Sequence, residues 1–460
     1  MHEPLATSST SALGVSLALH ALNAALVYAL TATLSRRAGE RGNVLRHLSA
    51  AVVAFLFAAH PLRVEAVAGA DGPWLLAGAG GVLLGVLLFV KGAHTRRPWR
   101  WRLASLAGFG GGLTLAWAGH TAGEPTTLQP MEHLARAAWN AVFFVWKTAW
   151  PADLSPIYEL HTPLKWTTPP FIAALVGVGV ALAGGLLLLR RARGAAVAAF
   201  AYLACAPPAA ALLGSGLELT ADRFSYLPAA TISVALGVFI VWLWQRTDDT
   251  SRVWAGTLLV GTLAFVVWLG PQTWRYAQVW RDPLTLLKYA VAHQPRGQPW
   301  SGVALYRLGC VHAAIGQPEA AEQNLRLAVQ QRPTLTDARL RLAEVQLELM
   351  QTDAAVATLR QAAATAPRRA EVHFRLGAAL AAAGALDDAA DALRQAVALD
   401  ARHVAAHAAL GRVLLLRGEP AAALAEFKTA VGLSPTDAEL YYDLGRAHRA
   451  VGDSAQARAA

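Results

Sequence analysis

The sequence has few charged residues and almost no cysteine. Charged residues make up 15% of the 460, whereas an average soluble domain has about 25%. The two cysteines, Cys205 and Cys310, lie far apart, and the first is inside an apolar run. The start, MHEPLATSST, also lacks the basic residues of a secretory signal peptide. A small scaffold stabilised by disulfides is therefore excluded.

Signals for nucleotide, metal and nucleic-acid binding are also weak. The glycine-rich stretches 78–85 and 108–112 lie inside apolar runs, where close helix packing explains them better than phosphate binding. No second ligand stands at helical spacing beside His60, so no metal site is predicted. The net charge of +10 arises in residues 1–295, with 22 Lys+Arg against 13 Asp+Glu, and not in 296–460, with 18 against 17. A nucleic-acid partner is therefore not expected.

Long apolar runs are abundant in the first part of the chain. Hydrophobic residues make up 55% of the sequence, and runs of membrane-spanning length recur up to about residue 270. Eight spans are predicted, at about 11–33, 47–59, 74–90, 103–119, 169–189, 195–214, 227–243 and 253–270. The sequence thus predicts an all-α protein with a polytopic membrane domain over 1–270, a linker with a half-repeat helix over 271–301, and a soluble domain over 302–460.

The basic residues predict the orientation of these spans. Four loops, 35–46, 91–102, 190–194 and 244–252, together hold fourteen Lys and Arg, and the loops on the other side hold five. The positive-inside rule places the richer side in the cytoplasm. The remaining loops, the N-terminus and the soluble domain are then expected outside the cytoplasm, across a bacterial inner membrane. The segment 131–150, rich in tryptophan, is predicted to lie along the bilayer surface.

The soluble part repeats every 34 residues. A Leu-Gly pair or its equivalent begins at Leu308, Leu342, Leu376, Leu410 and Leu444, and a small residue follows at Ala321, Ala355, Ala389, Ala423 and Ala457. This spacing is typical of tetratricopeptide (TPR) repeats, which are paired antiparallel helices stacked into a superhelix. Units are predicted to begin near 302, 336, 370, 404 and 438, the last one incomplete, so more protein is expected beyond Ala460.

The first helix of each TPR pair lines the concave face, where many such domains bind extended peptides. The residues predicted to line this groove are Tyr306, Leu340, Glu344, Phe374, Arg412, Tyr442 and Arg446. No cluster of Lys and Asn is arranged to hold a peptide carboxylate. A binding partner protein is expected, and the groove taken alone indicates a general scaffolding role.

Three segments on the predicted outer side form an ordered set of motifs: HPLRVEAVAGADG at 60–72, VWKTAWPADLSPIY at 145–158 and ADRFSYLP at 221–228. Their order, followed by TPR repeats, resembles the transmembrane and TPR repeat-containing (TMTC) O-mannosyltransferases and related bacterial GT-C-type glycosyltransferases. The residues that match the family motifs are His60, Pro61, Glu65, Lys147, Trp150, Pro151, Tyr158, Asp222, Arg223 and Tyr226.

The resemblance implies transfer of a mannose-like sugar from a polyprenyl-phosphate donor to protein hydroxyls. It implies Glu65 and Asp222 as catalytic candidates, and Arg63, Arg223 and Tyr226 as ligands of the donor phosphate. The same chemistry admits a divalent cation. Departures from the family are an isolated Asp71, a shorter region over 103–131 and no acidic pair in a first outer loop. Both topology and resemblance therefore lead us to expect one more span before Met1.

Other interpretations stay open. The chain could be an inactive, membrane-anchored TPR scaffold, or its polar rim residues could be ordinary interfacial and helix-capping groups. A transporter is disfavoured because no span centre carries an acid or an arginine. His20 and Asn23, one turn apart in the first span, are expected to form a helix–helix hydrogen bond rather than a proton relay.

Overall fold

A computed structural model describes residues 10–35, 40–69, 72–92, 104, 107, 130–152, 154–156, 158–159, 166–191, 193–213, 218–220, 222–246, 248–293, 302–453 and 456–459. The regular secondary structure of these residues is helical apart from one pair of short strands, which confirms the all-α class. The chain divides into two compact units, Met1–Trp300 and Ser301–Ala460.

The first unit is built from long helices rich in leucine, valine and alanine. Its elements are α1 (Thr10–Leu34), α2 (Glu40–Ala59), α3 (Val64–Ala68), α4 (Gly72–Gly92), α5 (Pro130–Ala149), β1 (Tyr158–Glu159), α6 (Pro169–Arg191), α7 (Arg193–Leu213), β2 (Glu218–Thr220), α8 (Tyr226–Trp244), α9 (Asp249–Val279) and α10 (Pro283–Ala292). Short 3₁₀ helices precede α3 at Pro61–Arg63 and α8 at Asp222–Ser225.

Several of these helices have the length and composition to cross a bilayer. Within the described residues they are Ser11–Leu34, Pro73–Lys91, Pro169–Leu188, Tyr226–Trp244 and Asp249–Val279, with a sixth candidate formed by the bent pair Asn43–Ala59 and Pro61–Ala68. Apart from residues 104 and 107, the predicted span at 103–119 lies outside the described residues. The predicted span at 195–214 corresponds to α7, which contains the apolar stretch Ala195–Cys205.

Helix α9 continues to Val279, beyond the span end predicted at residue 270. Asp248 caps its start by accepting the N–H of Ser251 at 2.8 Å. Trp254 and Trp274 on this helix are 58% and 71% exposed. The twenty residues between them correspond to about 30 Å of helix, which matches the hydrocarbon thickness of a bilayer.

The chain bends sharply between α2 and α3. The two helical segments on either side meet at 59°, because Pro61 cannot donate a hydrogen bond to the preceding turn. His60 is extended there and its ring accepts the N–H of Leu62, which caps the short helix that follows. The hydroxyl of Thr273 on α9 donates to the carbonyl of Ala59, so the bend is fixed against α9.

Strands β1 and β2 pair antiparallel, with Tyr158 opposite Thr220. This pairing joins two segments that lie far apart in the sequence. It brings the end of the second outer motif beside the third motif, which starts just after β2.

The second unit is the predicted TPR solenoid. Its helices are α11 (Gly302–Ala314), α12 (Pro318–Gln331), α13 (Thr336–Glu348), α14 (Thr352–Thr365), α15 (Ala370–Ala382), α16 (Leu386–Leu399), α17 (Val404–Leu416), α18 (Pro420–Leu433), α19 (Ala438–Val451) and α20 (Gln456–Ala459). Within a repeat the two helices approach closely at small residues. A Cβ added to Gly377 would lie 2.5 Å from the Cγ of Leu393, so a larger residue at this position requires repacking.

The turn inside each repeat needs a left-handed residue. Four repeats use glycine there, at Gly316, Gly384, Gly418 and Gly452. The second repeat has Met350 instead, with φ of 62° and a side chain that is 86% exposed. A non-glycine residue in this conformation is strained.

A repeated hydrogen bond ties the first helix of a pair to the turn before it. In three consecutive repeats, the residue at the equivalent position has a polar side chain that hydrogen-bonds the backbone carbonyl six residues earlier. These positions are spaced 34 residues apart. The pairs are Arg339 with Pro333, His373 with Pro367 and His407 with Ala401. These bonds could not be predicted from the sequence, because arginine and histidine at equivalent positions do not form a recognisable repeat pattern.

Candidate functional sites

The three outer motifs converge on one buried group of polar side chains in the first unit. We call Arg63, Glu65, Tyr158, Asp222 and Tyr276 the rim cluster. Arg63 and Glu65 come from the bend after α2, Tyr158 from β1, Asp222 from the 3₁₀ helix after β2, and Tyr276 from the end of α9. Arg63, Glu65 and Asp222 are all buried, and ionisable groups buried together are candidates for a functional site.

Arg63 is the most unusual member of the rim cluster. Its side chain is 1% exposed, and its guanidinium lies 5.6 Å from the ring centroid of Phe57 and 5.5 Å from that of Tyr226. None of its three side-chain nitrogens has a hydrogen-bond partner among the described residues. Aromatic faces stabilise the charge, but they leave all the N–H donors of the guanidinium available.

Asp222 is fully buried and accepts a hydrogen bond from the hydroxyl of Tyr276, at 3.3 Å from Oδ2. Burial raises the pKa of the Asp222 carboxyl, and the negative charge of Glu65 raises it further. Interactions with Tyr158, Lys147 and Tyr276 oppose this shift. A carboxyl with a raised pKa can exchange a proton near neutral pH, as a general acid or base must.

Tyr158 places its hydroxyl at the cluster. That hydroxyl accepts the N–H of Ser155 at 3.0 Å. The pKa of Tyr158 is raised, first by burial and then by the neighbouring Asp222. Tyr158 therefore stays protonated and can act only as a neutral hydrogen-bonding group.

The other motif residues support the cluster from outside it. His60 bonds the carbonyl of Thr148 through Nε2 at 3.0 Å, and Lys147 donates to the carbonyl of Ala152. Trp150 is exposed and stacks on Trp268 of α9, with the ring centroids 6.1 Å apart. These contacts fix the end of α5 against the bend.

Two of the predicted phosphate ligands are Tyr226 and Arg223. The hydroxyl of Tyr226 is engaged by His20 and Asn23 of α1, at 2.6 and 3.2 Å. Its ring instead supports Arg63. The side chain of Arg223 lies outside the described residues.

A cavity of about 260 Å³ adjoins the rim cluster. It is open on one side and reaches Tyr276, a member of the cluster. Its lining residues are Pro61, Pro151, Ala152, Leu154, Gln272, Arg275, Tyr276, Val279 and Tyr289. The α9 residues that line this cavity were not predicted, because they follow the predicted end of the last span.

The solenoid carries a second candidate site on the first helices of its repeats. Glu344 joins two arginines, Arg341 at 2.6 Å and Arg375 at 2.5 Å. Arg375 also pairs with Glu371 at 2.5 Å, and His403 lies 3.2 Å from the other oxygen of Glu371. This row of alternating charges crosses three repeats, and we call it the groove ladder.

Arg412 continues the charged row toward the C-terminal end. It contacts Asp443 at 2.6 Å and Glu439 at 2.5 Å, and Arg446 lies 3.5 Å from Asp443. Phe374 stacks obliquely on His403, with the centroids 5.0 Å apart. These residues form a charged and partly aromatic surface.

The remaining groove predictions differ in outcome. Leu340 is buried in the solenoid core with Ala343 and Leu376, rather than exposed on the groove surface. Tyr442 is exposed on α19, and Tyr306 is half-buried beside Cys310.

No group of three or more histidine, cysteine or acidic side chains converges as metal ligands would, within the part of the chain that the structure describes. Cys205 and Cys310 are both free.

Comparisons with known proteins match the C-terminal unit. Two tetratricopeptide-repeat family models match residues 312–380 and 386–438, so this part of the chain carries TPR repeats. No protein of curated function matches the sequence.

Solved structures similar to about a third of the chain include TPR proteins. MamA of Desulfovibrio magneticus is 25% identical over 34% of this chain and 86% of its own, with a TM-score of 0.31. PilF of Pseudomonas aeruginosa is 25% identical over 35% and 72%, with a TM-score of 0.32. A thermophilic TPR protein of Thermus thermophilus is 27% identical over 37% and 89%, with a TM-score of 0.30.

Proposed function

We propose that the chain is a membrane-anchored TPR protein whose solenoid binds a partner protein along the groove ladder. The observation that carries this proposal is the row of charged side chains along the first helices of consecutive repeats. TPR domains in general bind proteins or peptides on that face. A partner with alternating charges would exchange the internal ion pairs of the ladder for pairs across the interface.

The anchoring part of the proposal rests on the apolar helices of the first unit. Exposed tryptophans lie near both ends of α9, and Trp242 and Arg246 lie at the end of α8. Tryptophan and arginine are enriched at the two surfaces of a bilayer. We infer an integral membrane protein, with 1–270 as the membrane domain, 271–301 as linker and the solenoid on the non-cytoplasmic side.

Photo-crosslinking in cells tests partner binding. Ala378 is exposed and occupies the repeat position of Glu344 and Arg412, so a photoreactive residue there reports on the groove. Gln395, exposed on the second helix of the same repeat, is the matched control position. We expect a discrete crosslinked protein from position 378 only.

A charge reversal completes this test. Arg412→Glu should remove the crosslink from position 378, because it replaces a groove cation by an anion beside Asp443. Arg394→Glu, on an exposed helix face where Arg394 contacts Asp391, should leave the crosslink unchanged. Equal crosslinking from both positions, or equal loss with both reversals, would contradict groove binding.

A second candidate function is supported by the rim cluster. We propose that this cluster transfers a mannose-like sugar from a polyprenyl-phosphate donor to a protein hydroxyl, as the TMTC-like motifs imply. In this reaction the acceptor oxygen attacks the anomeric carbon, the bond from that carbon to the phosphate oxygen breaks, and a carboxylate takes the acceptor proton. Asp222 or Glu65 would be that base, and Arg63 would bind the leaving phosphate. The solenoid would present the acceptor protein.

The transferase proposal is tested with the full chain in lipid nanodiscs. Labelled polyprenyl-phosphate mannose is supplied with a serine- and threonine-rich acceptor protein, and transfer is measured for Glu65→Gln and Asp222→Asn. We expect either substitution to abolish transfer, while Asp249→Asn, at a fully exposed acid, leaves it unchanged. Transfer that survives both cluster substitutions would exclude this site. No transfer by the unaltered chain would leave the scaffold function alone.

A further inference from the structure

Helix α1 carries a polar pair that reaches the third outer motif, more than 200 positions away in the sequence. The Nδ1 atom of His20 lies 2.6 Å from the hydroxyl oxygen of Tyr226, and Nε2 lies 3.1 Å from the carbonyl oxygen of Ala58. Asn23 donates through Nδ2 to that same hydroxyl, at 3.2 Å, and to the carbonyl of Leu76, at 2.9 Å. The polar pair on α1 therefore links the tyrosine hydroxyl of α8 with backbone carbonyls of α2 and α4.

The direction of each hydrogen bond in this group can be assigned. A carbonyl can only accept, so Nε2 of His20 carries its hydrogen and Nδ1 is the acceptor of the neutral ring. The Tyr226 hydroxyl then donates to His20 and accepts from Asn23. Both amide hydrogens of Asn23 are used, one toward Tyr226 and one toward Leu76. Every donor in the group has an acceptor, which fixes the rotation of the Tyr226 ring.

The fixed ring of Tyr226 is one of two aromatic surfaces under Arg63. The rings of Phe57 and Tyr226 meet edge to face, with centroids 5.0 Å apart. The guanidinium lies at similar distances from both rings and has no hydrogen-bond partner among the described residues. A planar fork of donors held in this way matches two oxygens of a phosphate group.

Helix α4 packs closely against Asn23 of the polar pair. A Cβ added to Gly80 would lie 2.7 Å from the Oδ1 of Asn23, so glycine at that position leaves room for the amide. The asparagine side chain is 1% exposed. Burying an amide in an apolar helix pair has a free-energy cost, which its role in orienting Tyr226 explains.

We propose that His20 and Asn23 are positioning residues, which hold Tyr226 so that Arg63 can present its guanidinium to a phosphate-type anion. Arg63 follows the end of an apolar helix by four positions, at the level where lipid phosphates lie if that helix spans a bilayer. The inference rests on the second candidate function in one respect only: that function identifies the anion as a phosphate. Binding can be measured without any transfer reaction, so the two can fail separately.

The probe is a radiolabelled polyprenyl monophosphate added to the full chain in neutral-lipid nanodiscs, with inorganic phosphate as competitor. We expect Arg63→Lys to weaken binding about tenfold, because lysine lacks the planar fork. Its matched control is Arg246→Lys, whose guanidinium also lies over an aromatic ring, at 4.5 Å from Trp242, but away from the cluster. Competition by inorganic phosphate would show that the phosphate alone is recognised, and its absence would show that the lipid-borne group is required.

The positioning role is tested by Tyr226→Phe and Asn23→Leu. Both variants keep Arg63 and the aromatic rings under it, and neither changes the net charge. We expect the affinity for the probe to fall several-fold, with a change in binding free energy on the order of half that of Arg63→Lys. Tyr28→Phe is the control, because Tyr28 makes a similar 2.6 Å bond to His47 at an exposed site. If Tyr226→Phe does not insert, His20→Asn replaces it, since Tyr226 is then unaltered.

Two results would overturn the inference. Unchanged affinity in Arg63→Lys would show that the guanidinium does not present its planar fork of donors to the phosphate. The second result is that Arg63→Lys loses affinity while three variants keep the wild-type affinity: Tyr226→Phe, Asn23→Leu and His20→Asn. It would show that the pair on α1 only packs helices. Wild-type binding with no detectable sugar transfer would contradict the second candidate function and leave this inference intact.

Discussion

At the scale of single residues, Met350 and Asp222 both have a free-energy cost in the folded protein. Met350 occupies a left-handed conformation that the other repeats give to glycine. Asp222 is a carboxyl without exposure to water, and its Oδ1 atom has no hydrogen-bond partner among the described residues. Met350 is not a member of the groove ladder, whereas Asp222 lies in the rim cluster, where such a cost is typical of function.

Replacing Met350 by glycine should stabilise the solenoid. The left-handed conformation costs a non-glycine residue about 1 kcal/mol, and the exposed methionine side chain contributes little packing. We expect Met350→Gly to raise the free energy of unfolding of the unit Ser301–Ala460 by about 1 kcal/mol, measured by urea denaturation. The reverse change, Gly384→Met, should lower it by a similar amount. A destabilised Met350→Gly variant would contradict the assigned conformation.

Asp222 should make stability depend on pH. Burial and the charge of Glu65 raise its pKa in the folded state, so the folded protein holds this proton more tightly than the unfolded chain does. The contribution of Asp222 to the free energy of unfolding is fully present below the ordinary carboxyl pKa. It is lost as the pH rises through the raised pKa. The difference in unfolding temperature, Asp222→Asn minus wild type, should therefore grow from pH 5 to pH 8. A difference independent of pH would contradict the raised pKa.

At the scale of helices and strands, close packing within a TPR repeat depends on a few small residues. Gly377→Ala would place a Cβ 2.5 Å from Leu393, and we expect it to destabilise the solenoid by about 1–3 kcal/mol. Gly432, on an exposed stretch of α18, has no atom within 4 Å of an added Cβ. Gly432→Ala should be neutral or stabilising, because alanine favours helix. Equal effects of the two changes on the urea midpoint would contradict the packing described for the repeats.

Periodicity gave reliable predictions for the solenoid and weaker ones for the rim. The 34-residue spacing places the Leu-Gly and alanine positions where two helices meet, so local packing alone predicts the fold there. The end of α9 could not be predicted, because Pro271 and a change of composition resemble a span boundary while the helix continues to Val279. The role of Tyr226 was missed for a different reason: its partners His20 and Asn23 are brought to it only by the packing of α1 against α8.

At the scale of the whole molecule, both proposed functions need the same arrangement. The apolar helices must anchor the chain in a membrane, and the solenoid must lie outside the cytoplasm, where a lipid-linked sugar or an exported partner would be met. The distribution of basic residues predicts this arrangement. It can be tested without knowing any ligand.

Labelling of single cysteines with a membrane-impermeant thiol reagent is the most direct test. In a variant with Cys205 and Cys310 replaced by serine, a cysteine at Gln395 in the solenoid should react in intact cells. A cysteine at Arg252, at the start of α9, should react only after the membrane is opened. Labelling at 252 but not at 395 in intact cells, or recovery of the chain in the soluble fraction, would contradict a membrane anchor with an external solenoid.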